Sequence, residues 1–129
     1  MRLRAFTLVE IMIVLLIIGI LVLIALPGVL RSRMNANDAY AKQVLRSMSS
    51  ACEWYLANSN STGYPVSEIV LLAAAPPYLN SGYCGTTVSG YAYTCVLDPN
   101  GYTVTATPTT VGSSGTTTYT VATGGVITP

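Results

Sequence analysis

Histidine is absent from this 129-residue chain, and charge is scarce: six Lys and Arg stand against five Asp and Glu, 9% of all residues. Without histidine there is no imidazole to activate a serine or cysteine nucleophile and no mixed Cys/His zinc set. Cys52, Cys84 and Cys95 are the only cysteines and are too widely spaced to supply four zinc ligands. The acids do not restore a catalytic reading, because Glu53, Glu68 and Asp98 lie far apart and no serine occupies a nucleophile-elbow context. Basic residues are no better placed for nucleic acid. Arg2, Arg4, Arg31, Arg33, Lys42 and Arg46 all precede residue 47, so the remainder lacks the cations that displace counterions from phosphate. The expectation is a chain that is not an enzyme, holds no cofactor or metal and has no nucleic-acid motif.

What the chain does have is one long apolar run. Phe6 to Pro27, FTLVEIMIVLLIIGILVLIALP, contains no Lys or Arg and is polar only at Thr7 and Glu10. As a helix it would measure about 30 Å, the thickness of a bilayer's hydrocarbon core. A carboxylate at such depth costs roughly 2.5 to 3.5 kcal/mol on insertion scales, so Glu10 calls for a partner.

The leader MRLRA running directly into F-T-L-V-E and then the apolar run resembles the class III signal, the N-terminus of type IV pilins and their pseudopilin relatives. A secretory signal peptide is cut after its apolar core, whereas this pattern is cut before it, so the core is retained. The resemblance implies that residues 1–5 form a leader and that a prepilin peptidase cleaves between Ala5 and Phe6. It further implies that the new Phe6 amine is methylated and that mature copies stack their helices into a homopolymer, Glu10 pairing with the Phe6 amine of a neighbour. Ala5 departs from the family's usual glycine before the cut, a change of one methyl that should slow cleavage more readily than abolish it. Charge does not orient the span, since Arg2 and Arg4 before it are matched by Arg31 and Arg33 after it. The family pattern implies a cytoplasmic N-terminus, a precursor held in inner-membrane lipid, pilus assembly machinery as partner, and a final place in an extracellular pilus on the cell surface.

Helical patterning continues past the span. Leu30, Met34, Ala41, Val44, Leu45, Met48, Cys52, Tyr55 and Leu56 recur at mostly three- and four-residue steps, one apolar stripe that needs a covering surface. Pro27 interrupts the helix's hydrogen bonding at a cost of around 3 kcal/mol, and with Gly19 and Gly28 it marks residues 19–28 as the weakest interval. Two readings stay open there: a membrane-helix kink, or a stretch that unwinds when subunits pack, which the family resemblance favours. The helix should end near Asn58, where SNSTGYP gathers breakers.

Ser67 to Ala75 could form a short helix before Pro76-Pro77. Alternation then predicts strands over 88–97, 102–106, 116–122 and 126–128, a four-stranded antiparallel meander whose inner face meets the helix stripe. Five regions follow: leader 1–5, filament-core helix half 6–28, amphipathic half 29–58, connecting αβ-loop 59–87 and sheet domain 88–129. The fold class is α+β, a long N-terminal hydrophobic helix packed on a small antiparallel sheet, as the pilin resemblance also implies.

Outside the cytoplasm disulfides persist, and an odd count leaves one cysteine over. Cys84 with Cys95 closes a short loop; Cys52 is either a buried free thiol or the rival partner of one of them. Asp98 in DPNG suits a turn better than a calcium loop, which separates this chain from major secretion pseudopilins. Trp54, Tyr55, Tyr91, Tyr93 and Tyr119 stand where core or cross-strand packing explains them, so a conducting path of aromatics is not needed. Asn60-Ser61-Thr62 matches a glycosylation sequon, and the Thr and Ser of 105–120 could carry O-linked sugar. The composite reading is a filament subunit, with a secretion pseudopilin and a non-polymerising membrane-anchored surface module as the rivals.

Overall fold

A computed structural model describes residues 6–60 and 62–129; the leader with Ala5, and Ser61 of the sequon, lie outside the described residues. Helix α1 (Leu8–Asn58) is followed by α2 (Glu68–Ala73) and by strands β1 (Thr87–Val88), β2 (Tyr91–Asp98), β3 (Gly101–Pro108), β4 (Tyr119–Ala122) and β5 (Ile127–Thr128). The chain divides into two units, one reaching to Arg33 and one from Met34 to Pro129, and α1 contributes to both. The arrangement is α+β.

Helix α1 begins where Thr7 can cap it: the Thr7 hydroxyl accepts the Glu10 amide at 3.2 Å, satisfying one of the donors a helix start leaves unpaired. It continues without interruption through Pro27. At its far end the Asn58 side-chain amide donates to the Trp54 carbonyl at 3.0 Å, and Asn60 takes a left-handed conformation, φ 54°.

The five strands form one antiparallel sheet in chain order. Alternation sorts its faces. Tyr91 and Tyr93 of β2, Tyr102, Val104 and Ala106 of β3, and Tyr119 and Val121 of β4 are buried, and they meet Ala41, Val44, Leu45, Met48 and Cys52 of α1. Each large apolar side chain so buried is worth about 1.5 to 3 kcal/mol, which makes this contact the main source of the unit's stability. The opposite face is threonine-rich: Thr94 of β2, Thr105 of β3, Thr120 of β4 and Thr128 of β5 stand directly across from one another.

Several expectations shift in detail. The apolar stripe is buried from Ala41 to Cys52, whereas Leu30 is exposed and Met34, Tyr55 and Leu56 are half-buried. The segment 88–97 is broken at Ser89-Gly90, both with positive φ (50° and 75°), so the sheet has five strands and not four. Residues 116–118 do not extend β4, because the Thr116 amide and hydroxyl are both drawn to the Asp38 carboxylate of α1. The short helix covers Glu68–Ala73, within the expected 67–75. Gly63 fits a close approach of loop to sheet: a Cβ there would lie 2.6 Å from the Pro99 carbonyl oxygen, which also accepts the Tyr64 amide at 3.0 Å.

Candidate functional site

The residues that the sequence singles out for assembly lie in the first unit. From Phe6 to Leu30 the large apolar side chains are 47% to 76% exposed, and an 18-residue window of α1 reaches a mean hydropathy of 3.2 with none of it buried. Such a surface has no stable place in water and suits hydrocarbon or copies of itself. Phe6 and Glu10 are both exposed and one helical turn apart in the chain; Glu10 forms no ion pair among the described residues. A Cβ placed at Gly19 or Gly28 would meet nothing within 4 Å, so neither glycine serves packing inside the chain.

Glu10 also has a local role that the sequence reading missed. Thr7-Leu8-Val9-Glu10 matches the T-x-x-E capping pattern, and its threonine arm is formed. An acid in the first turn further complements the positive end of the helix. The signal was available in the spacing.

In the second unit three carboxylates fasten the loops. Asp38 accepts the Tyr91 hydroxyl at 2.6 Å and the Thr116 amide at 3.2 Å. Partial burial alone would raise its pKa, but the bonds from Thr116 and Tyr91 and the charge of Lys42 outweigh that and hold it below the usual carboxylate value. Tyr91 is pushed the other way, first by burial and then by Asp38 itself. Glu53 accepts the Tyr102 hydroxyl at 3.0 Å, the Tyr64 hydroxyl at 3.2 Å and the Gly124 amide at 3.3 Å. Glu68 accepts the Cys84 amide at 3.2 Å and also the Tyr83 amide, capping the entry to the disulfide loop.

None of these partners could be read from spacing, since Asp38 and Thr116 are 78 residues apart and Glu53 and Gly124 are 71 apart. The fourth acid of the second unit, Asp98, accepts the Asn100 amide at 2.8 Å in the β2–β3 turn, as an Asx turn requires. Every carboxylate of the second unit is thus occupied with hydroxyls and amides of the fold.

Cys84 and Cys95 are joined in a disulfide with Cα atoms 5.5 Å apart, and Cys52 is a buried free thiol. Burial, and then the neighbouring Glu53 charge, push the Cys52 pKa up to about 12, so it is a packed thiol and not a nucleophile. Tyr91, Tyr93 and Tyr119 are core residues as expected, but Trp54 is not: it is 64% exposed. Cys52, Glu53 and Tyr55 face the sheet and the αβ-loop, whereas Trp54 shares another stripe of α1 with Ser47, Ser50 and Asn58.

No curated protein and no solved structure matches the chain. A family model does: residues 1–26 match the model described as the prokaryotic N-terminal methylation motif. That motif marks a membrane-anchored precursor of the kind processed by prepilin peptidase. With an exposed apolar helix and an α+β unit behind that motif, the chain carries the class III signal of type IV pilins and their pseudopilin relatives.

Proposed function

We propose that this chain is the structural subunit of a type IV pilus, held in the inner membrane as a precursor and polymerised through residues 6–28 into an extracellular filament. One observation carries the reading: an apolar run with its large side chains 47% to 76% exposed stands directly behind a methylation motif. Lipid covers that run before assembly, and other copies cover it afterwards. Cleavage after Ala5 frees the Phe6 amine, the one cation near enough in depth to neutralise Glu10 of a neighbouring copy. The interval 19–28 is exposed throughout and is weakened at Pro27, which supports its unwinding as copies close on one another.

A secretion pseudopilin is the second reading. The dispersal of Asp38 and Glu53 on α1, Glu68 on α2 and Asp98 at the end of β2, each bonded to a different part of the fold, favours the pilus, because a calcium loop needs several acids together. Shearing of expressing cells followed by electron microscopy and mass spectrometry tests the proposal. Long fibres of a chain beginning at N-methyl-Phe6 are expected. Short assemblies that need calcium would select the pseudopilin, and a chain that stays monomeric in the membrane would reject both.

A further inference from the structure

We infer that the groove between the last turns of α1 and the loop after α2 is a binding site for a neutral carbohydrate. The groove, as the described residues line it, lies within the 34–129 unit, has a volume of about 730 Å³ and carries no charged side chain among those residues. That is the size of a small-molecule site. Its walls divide into two kinds of chemistry. Trp54, the chain's single tryptophan, presents an open indole, 64% exposed. Around it stand Ser50 and Asn58 of the helix and Asn80 and Ser81 of the loop, all exposed, whose hydroxyls and amides both give and accept hydrogen bonds. One N–H of the Asn58 amide is given to the Trp54 carbonyl, which leaves its other N–H and its oxygen for a ligand.

A pyranose ring has the complementary halves, a C–H face that rests on an indole and a rim of hydroxyls. An anion would meet no Lys or Arg in the groove, and a cation no carboxylate. A proline-rich peptide needs a row of open aromatic ridges. The other two rings of the lining are already committed, Tyr78 edge-on to Tyr55 at 5.8 Å between centroids and Tyr83 to Tyr93 at 5.9 Å.

The loop wall is in place before a ligand arrives. Tyr78 and Leu79 amides donate to the Leu71 carbonyl at 3.0 and 3.4 Å, and Glu68 with the Cys84–Cys95 disulfide fixes the loop's exit. Such pre-organisation lowers the entropy lost on binding.

Because Trp54 is the only indole, its emission reports on the groove directly. The full chain in detergent micelles is titrated with soluble cello-, chito- and malto-oligosaccharides. A saturable blue shift with one of these series is expected, weakened about tenfold or more in Asn80→Ala, with calorimetric heat of binding absent in Trp54→Ala. Both positions are exposed, and unchanged circular dichroism confirms that the variants fold. No response to any neutral series, or a response to oligoproline or to an acidic oligosaccharide instead, overturns the inference. So does an indole that acrylamide quenches in micelles but not in assembled fibres, since the groove would then be a contact between copies.

Discussion

The carboxylate of Glu53 on α1 accepts the hydroxyl proton of Tyr102 on β3 at 3.0 Å, a bond between residues 49 apart in sequence. The same Tyr102 oxygen lies 2.7 Å from the Ser49 hydroxyl, so a buried phenol is satisfied twice by one helix. Burial first, and then Glu53 against the opposing Ser49 bond, raises the Tyr102 pKa to about 12, so the phenol stays protonated and donating. Glu53→Ala removes the acceptor for Tyr102, Tyr64 and Gly124 together and should cost about 2 to 3 kcal/mol. Glu53→Gln keeps one carbonyl acceptor and should cost roughly half of that. Urea unfolding of the full chain in micelles measures both; equal losses would show that shape and not hydrogen bonding matters at this position.

Acid should loosen the contact between Asp38 and the 114–117 loop. Asp38 titrates lower when folded than when unfolded, so its contribution is complete above about pH 4 and is lost as pH falls through the lower folded value. Asp38→Asn should therefore be less stable than the parent at pH 7, the two converging as pH falls through the lowered Asp38 value. Thermal unfolding across that range is the measurement. A gap that widens in acid would mean that Asp38 is not the group responsible.

Thiol chemistry separates the three cysteines. In the native chain N-ethylmaleimide should label none of them, since Cys52 is buried with its pKa near 12 and the other two are bonded. Unfolding should expose one labelling site, and reduction two more. Replacing both Cys84 and Cys95 by Ser should lower stability by about 3 kcal/mol, the loop-closure value for a sequence separation of 11. Labelling of Cys52 in the folded protein, read by mass spectrometry, would contradict its place in the core.

Assembly should depend on Glu10 more than on its cap. Glu10→Ala and Glu10→Lys should leave precursor levels in the membrane normal while fibre yield falls by about tenfold or more, whereas Thr7→Val, which removes only the cap to Glu10, should cost the helix about 1 kcal/mol and leave fibres in place. If both positions lower fibre yield alike, the first turn matters as a helix start and not through the Glu10 charge. Pro27→Ala should strengthen the helix of the subunit by around 3 kcal/mol and slow fibre growth if residues 19–28 unwind on packing. Faster growth in that variant would reject the unwinding.

Local and periodic features were legible in the sequence. Residues 6–27 announce a span by length and hydropathy, the helix end at SNSTGYP falls where breakers cluster, and alternation locates β2 and β3. The buried stripe from Ala41 to Cys52 follows from 3.6-residue spacing. Long-range polar contacts were not legible. That Thr116 leaves the sheet for Asp38, or that Gly124 reaches Glu53, depends on how two distant segments meet, and nothing in either segment alone encodes it. Trp54 was misplaced for a related reason: an aromatic one or two positions from a stripe reads as core until the rotation of the helix is known. The break at Ser89-Gly90 lay within a run that alternates well enough to pass for one strand.

The shortage of charge past Arg46 has a colloidal consequence. Past Arg46 the charged side chains of this chain are Glu53, Glu68 and Asp98, and of these only Asp98 stands fully exposed. Fibres clad in such a skin would repel one another weakly at any ionic strength, so they would gather side by side into bundles that neither dilution of salt nor a modest change of pH disperses.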